Sequence, residues 1–321
     1  MTTLDYQEPI MNPKSKTELT RRSFFSLAGG CAAALAAQKA WPSPTHIPTG
    51  IQLYTVGADF EKDPAGTLKQ LAQIGYKEVE TAGFGKLTAA QLRDMIKDVG
   101  IRAPSAHLNF GMEDTGKLLD DAKALGVEYV VSSILMPHPP PAGAGMQGFL
   151  KVLNTMTADD FKQSAAKANE IAQKAKAAGL QYAYHNHNFE FRDLGGGQTG
   201  YEILMKETDP SLVKFEADTG WMRVAGADPV AFLTQHPERF VMLHIKDFKN
   251  LTHPVTALMA PDAPTPTELG RGSVDIKPIV EAGKKAGIRH MFVEQEPPFK
   301  EMTPLEAAAV DYRYLHSLLA A

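Results

Sequence analysis

The stretch DPAGTLKQLAQIGYKEVET, Asp63–Thr81, holds the unit from which the fold is read. Leu68, Leu71 and Ile74 recur at three-residue steps, as on one face of a helix, and Gly75 closes the run as a C-cap would. A short β-rich run, YKEVET, follows at once. Outward from this unit the rhythm repeats. The β-rich runs are TGIQLYT, YKEVET, IRAPSAHLNF, VEYVVSSIL, LQYAYHNH, LVKFEAD, FVMLHIKD and HMFVEQE. Segments with helical spacing, such as TAAQLRDMIKDVG, TGKLLDDAKALG and DIKPIVEAGKKAG, stand between them. Alternation of this kind implies parallel strands joined by right-handed crossovers. Eight such units predict a (β/α)8 TIM barrel as a single domain over 45–321. A doubly wound open sheet is the alternative, but the first β-run is not followed by a Gly-rich dinucleotide fingerprint. Two Pro/Gly-rich stretches, Met136–Gly148 and Leu251–Gly272, are too long for plain connections. They follow the fourth and seventh runs, so they are expected on the catalytic face as lids or walls.

The N-terminus carries a different signal. In TRRSFFSLAGGCAAALAA, Arg21 and Arg22 precede an apolar, alanine-rich run. This resembles a twin-arginine (Tat) export signal, and it sets residues 1–40 apart as a signal peptide and the mature chain as periplasmic. The run is too short for a membrane span of about 20 residues, so no stable membrane association is expected once the signal is cleaved. The single cysteine, Cys31, falls inside that segment. A lipobox reading of LAGGC is weakened because the apolar run continues past the cysteine. The mature chain would hold no cysteine, which suits an oxidising compartment.

Composition bounds the function classes. The chain has 321 residues, 44% of them hydrophobic, and a formal net charge of -4. That charge gives no general attraction to nucleic acid. A small-molecule partner is expected, and the sequence leaves room for a homo-oligomer.

In a barrel of this kind the C-terminal ends of the strands carry the chemistry. The third run offers His107. The fifth offers His185 and His187, with Glu190 just beyond. The sixth ends in Glu216, Asp218 and Trp221, the seventh in His244, Lys246 and Asp247, and the eighth in Glu294 and Glu296. Buried carboxylates are normally paired or metal-bound, because an isolated one costs several kcal/mol. Imidazole and carboxylate together suit Mn²⁺, Zn²⁺, Fe²⁺ or Co²⁺, whereas Mg²⁺ and Ca²⁺ prefer oxygen cages. Side chains alternate along a strand, so His185 and His187 face one way.

Taken in order, HNHNFEF, EADTGWMRVAGADP, HIKD, ELGRGSVD and VEQE resemble the sugar isomerase/epimerase family with the xylose-isomerase-like barrel. Tagatose 3-epimerase and the inosose isomerases and dehydratases belong to this group. The resemblance covers about residues 48–320. It implies one divalent metal, Mn²⁺ first among the candidates and Zn²⁺, Co²⁺, Fe²⁺ or Mg²⁺ after it. The family holds that metal with Glu, Asp, His and Glu. Asp218, His244 and Glu294 match the last three, and His185 stands where the family has its first glutamate. His185 is therefore expected on the metal, with His187, its competitor, nearer the mouth on substrate. Glu190 resembles the family glutamate that holds a substrate hydroxyl, and His107, Trp221, Lys246 and Glu268 are further sugar contacts.

The chemistry implied is proton abstraction next to a carbonyl of a sugar or keto-sugar, passing through an enediolate. Glu294 is the expected base, and His185 or His187 returns the proton. Members with HNH on the fifth strand occur around 3-keto-glycosides. Export and the lack of a phosphate-cradling loop favour a non-phosphorylated substrate. Elimination by a lyase on the same intermediate is one alternative, and a non-catalytic sugar-binding protein is another. A metal-dependent endonuclease on the same barrel would need a richer His/Glu zinc cluster and a basic DNA face, and the acidic net charge and the expected export count against it.

Overall fold

A computed structural model describes residues 47–321; the expected export signal at 1–40 and the start of the expected domain lie outside the described residues. The chain forms strands β1 (Thr49–Gln52), β2 (Glu78–Ala82), β3 (Arg102–His107), β4 (Tyr129–Ser132), β5 (Gln181–His185), β6 (Val213–Asp218), β7 (Phe240–Ile245) and β10 (His290–Val293). All eight pair in parallel and close in the order β1-β10-β7-β6-β5-β4-β3-β2. This is the single TIM barrel that the alternation predicts.

The opening unit shows why. The helix Pro64–Ile74 starts with Asp63 accepting the Gly66 N–H, and proline occupies its first turn, where a missing donor costs nothing. It buries Leu68 and Leu71, while Ile74 is only partly covered. Gly75 ends it at φ +128, and a Cβ there would meet the Tyr312 ring at 2.4 Å. Only glycine suits both that backbone and that approach.

Strand periodicity divides the core into two shells. Val130, Tyr182, Leu243, Met291 and Val293 pack outward in the main core beneath the helices. Their neighbours Tyr129, Val131, Ala183, Met242 and Phe292 form a separate apolar cluster. Alternate residues face opposite sides of a strand, so this cluster fills the barrel interior. The same alternation carries Ala183 to His185, Met242 to His244 and Phe292 to Glu294, and it places the polar residues at the C-terminal end directly above the apolar plug.

Several elements depart from the sequence reading. The first β-run is shorter than expected, since Leu53–Val56 forms a 3-10 turn capped by Gln52. A short antiparallel hairpin, β8 (Asp247–Lys249) with β9 (Thr265–Thr267), braces the long Leu251–Gly272 stretch. Asp247, read as a site residue, instead accepts the backbone N–H groups of Gly270, Gly272 and Val274 and ties that loop down. The other long stretch runs into the helix Gly145–Asn154. Among the described residues, no helix is long and apolar enough to cross a membrane.

Candidate metal centre and cavity

Four residues of the expected set converge. The ligand-capable atoms of His185, Asp218, His244 and Glu294 all lie within 4.8 Å of one another, and all four residues are buried. Asp218 ends β6 and divides its carboxylate between two tasks. Oδ1 accepts the Trp221 N–H at 2.8 Å and caps the following helix. Oδ2 is paired with the Lys246 ammonium, 2.9 Å away. That ammonium also lies 2.9 Å from Glu294 Oε2 and 2.6 Å from Glu296 Oε1.

Each histidine of the set is held from behind. His185 faces Glu216 Oε2 through Nδ1 (3.0 Å) and Asp218 Oδ2 through Nε2 (3.6 Å). His244 spans Glu294 Oε2 through Nδ1 (2.7 Å) and Glu80 Oε2 through Nε2 (2.6 Å). Each ring thus has one nitrogen on a carboxylate outside the set and the other on a carboxylate within it. A carboxylate behind a histidine fixes ring and tautomer, as it does for metal-bound imidazoles generally. His107 closes the arrangement, with Nε2 2.8 Å from Glu216 Oε2 and 3.1 Å from Glu80 Oε2. His107, His185, Glu216 and His244 also form a second group of convergent donors.

The electrostatics follow from crowding of carboxylates out of water. Burial opposes ionisation of Glu294, but Lys246 and His244 outweigh it and hold the carboxyl well below the usual range. Burial, reinforced by Glu294, raises Asp218 to about 6 against the pull of Lys246. Burial would keep His244 neutral, yet Glu216, Glu294 and Glu80 hold it well above its ordinary value. His107 likewise rises to about 10, because Glu80 and Glu216 outweigh its burial. Burial leaves His185 well below its ordinary value, and burial together with Lys246 takes His187 to about 3. Four mutually close donors, two of them carboxylates, are consistent with a divalent ion.

Above the cluster opens a cavity of about 1060 Å³. Gln52, His107, His185, His187, Glu294 and Glu296 border it, while Asp218 and His244 lie beneath. Both long stretches contribute walls, through Met136, Pro137, Leu258 and Met259. His187 lies just past β5, its ring 5.2 Å from that of His185, and its Nδ1 has no hydrogen-bond partner.

Four expected sugar contacts do not border this cavity. Glu190 is fully buried: Oε1 accepts from the Tyr184 hydroxyl and Oε2 from the His187 backbone N–H, both at 2.9 Å. It braces the HNH segment instead. Glu268 lies by a separate small hollow with Thr265, Gln295 and Lys300. Trp221 donates its indole N–H to Glu296 at 3.0 Å and lies under the Lys246 ammonium, 5.4 Å from the ring. Lys246 itself is spent on three carboxylates. Glu80 was missed as a site residue; its signal was two glutamates alternating with Val79 in a strand of a closed barrel, whose inner face is buried.

The xylose isomerase-like TIM barrel family matches residues 68–315, and the chain belongs to it. An inosose dehydratase of Lacticaseibacillus casei is 26% identical over 280 residues, covering 82% of this chain and 84% of that protein. A crystal structure of a sugar phosphate isomerase/epimerase from Parabacteroides distasonis superposes with TM-score 0.67 at 26% identity, covering 88% of this chain and 99% of that one. A structure of the IOLI protein with a bound zinc atom gives TM-score 0.64 at 16% identity over 85% of this chain and 98% of that one, a likeness of fold alone.

Proposed function

We propose that this protein is a divalent-metal-dependent isomerase or epimerase acting on a non-phosphorylated sugar or keto-sugar, by removal of a proton next to a carbonyl. One observation carries the reading: His185, Asp218, His244 and Glu294 converge on the barrel's inner face directly beneath a cavity. These four residues would hold the ion, Mn²⁺ first and Zn²⁺ next. Bound there, it would polarise a substrate carbonyl as a Lewis acid.

The rest of the chemistry falls to the chain. Glu294 borders the cavity with Oε2 engaged by His244 and Lys246, and it takes the proton from the carbon. His187, which borders the cavity beside His185, relays a proton from water to the carbon. Glu294 follows β10 and His187 follows β5, and β7 and β6 separate these strands around the barrel. Two proton-handling groups on well-separated strands can reach opposite faces of a substrate carbon, which is what epimerisation needs. Lys246 holds Glu294 ionised and pairs with Glu296, and Glu80 and Glu216 orient the two metal histidines.

A second reading, elimination of water or an alcohol from the same intermediate, is favoured by the likeness to inosose dehydratase. The test is incubation of manganese- and zinc-loaded protein with a panel of keto-sugars and glycosides in deuterium oxide. Deuterium next to the carbonyl with retained mass supports isomerisation or epimerisation. Loss of a leaving group supports the lyase. Binding without exchange supports a non-catalytic sugar-binding protein. Phosphorylated partners in the same panel address the phosphate question: of the two lysines on the cavity wall, Lys117 is already 2.6 Å from Asp121, and Lys167 is the other.

Export by a Tat-type signal over 1–40 is part of the proposal. Fractionation of cells carrying Arg21→Lys/Arg22→Lys checks it, with retention in the cytoplasm the expected result. A chain beginning near Pro42 should melt like the full chain.

A further inference from the structure

Resting on the sugar reading above, we infer that the substrate carries a second group beside its sugar ring: an apolar aglycone of aromatic size. The cavity is polar at its metal end and charged at its outer rim, and it has one apolar wall. Part of its polar lining gathers at the metal cluster, whereas the wall formed after β2 and β4 presents Phe84, Leu87, Ile134, Met136 and Phe149, joined by Met259 on the long loop after β8. The first five are half-buried and anchored on the main core, so each keeps a face towards the cavity.

Volume points the same way. A hexose has about twelve non-hydrogen atoms; even at the ~30 Å³ that each water takes in the liquid, they fill roughly a third of the space. Ligand pockets ordinarily measure about 300–1,000 Å³, so this cavity lies at the upper end of that range and has room beyond a monosaccharide. The remainder is continuous with the polar end, so one molecule can occupy both. Charge gives no pull towards an anionic second group. At the outer rim Glu113 and Asp121 accompany Lys117 and Lys167, which leaves no net charge there. A flat apolar group is what such a wall takes, by burial of its faces against rings and thioethers.

Matched methyl and phenyl glycosides of a hexose panel, with phenol alone as a third ligand, test this by calorimetry on the metal-loaded full chain. The phenyl glycoside should bind about tenfold or more tighter than its methyl partner. Phe149→Ser and Phe84→Ser should each reduce that advantage and leave methyl-glycoside affinity and metal content unchanged; two variants guard against one that fails to fold. Equal affinity for the methyl and phenyl forms overturns the inference, even if free keto-sugars are turned over and the sugar reading stands. Phenol binding that no sugar moiety improves overturns it together with the sugar reading. Light scattering on the same variants covers the competing occupant, a second copy of the chain. A dimer that dissociates in Phe149→Ser with the aryl preference intact would reassign the wall to that contact.

Discussion

β10 carries two polar residues on its inner face, two steps either side of Phe292. At its start His290 faces Glu78 through Nδ1 at 2.8 Å, and Arg102 pairs with the other oxygen of Glu78. Just past its end Glu294 meets His244 and Lys246. Both clusters contain buried glutamate, histidine and a cation. The lower one has no surplus of carboxylates: one carboxylate has two partners, and the Arg102 side chain reaches solvent, 61% exposed. The upper one is crowded: Glu80, Glu216, Asp218, Glu294 and Glu296 share Lys246 and three histidines beneath a cavity. Buried His and Glu alone therefore do not make a metal centre. A surplus of carboxylates and an opening above them set the upper cluster apart as the candidate.

Four substitutions sharpen this contrast. Glu294→Gln keeps an oxygen donor and removes the basicity; it should slow exchange of the substrate hydrogen by about 10²–10⁴-fold, more if metal affinity also falls. Solvent deuterium incorporation measured beside metal content separates the two. Wild-type exchange in a metal-replete variant would remove Glu294 as the base. Glu216→Gln acts one layer out. It should lower metal affinity by about 10–100-fold, read from competition with a chelating dye, since it loosens the His185 ring without deleting a ligand. Unchanged affinity would mean Glu216 is only a charge partner of His107.

In the lower cluster, Glu78→Leu should cost about 1–3 kcal/mol of stability by leaving the buried His290 Nδ1 unpaired. Metal content should not change. An ion lost in this variant would erase the distinction between the two ends of the barrel. Asp311 supplies the smallest effect and a third kind of buried carboxyl, one without a close cation. Its Oδ1 accepts the Leu269 N–H at 2.7 Å, and Oδ2 has no partner. Burial, with Glu268 and Asp247, raises it to about 8, and Arg271 offsets this only in part. The folded state then binds the proton more tightly than the unfolded one. Stability falls as pH rises from the ordinary carboxyl range towards 8 and levels off beyond. Asp311→Asn removes that slope and should gain on the order of 1 kcal/mol over the wild type near pH 8. Parallel melting curves from pH 5 to 9 would contradict it.

The fold was legible because strand and helix periods alternate without interruption and glycines such as Gly75 close the helices. The four convergent donors were legible because each ends a β-run. The outer layer was not. Glu80 sits inside YKEVET, where a glutamate reads as solvent-facing unless the barrel is already closed around it. Glu190 and Glu268 stand in motifs that resemble substrate contacts, but loop packing turns them onto the Tyr184 hydroxyl and His187 backbone and into a separate hollow. Lys246 was read as a sugar cation, and the surplus of carboxylates around it claims it first. Such assignments depend on which neighbours arrive from distant parts of the chain, and no local pattern encodes that.

The most direct measurement is metal content by elemental analysis after equilibration with Mn²⁺ or Zn²⁺, for the wild type, His244→Ala and Glu78→Leu. The metal-centre reading expects about one equivalent in the wild type and in Glu78→Leu, and almost none in His244→Ala, where a ligand is lost from a mixed set. Full occupancy in His244→Ala, or no ion in the folded wild type, would contradict it.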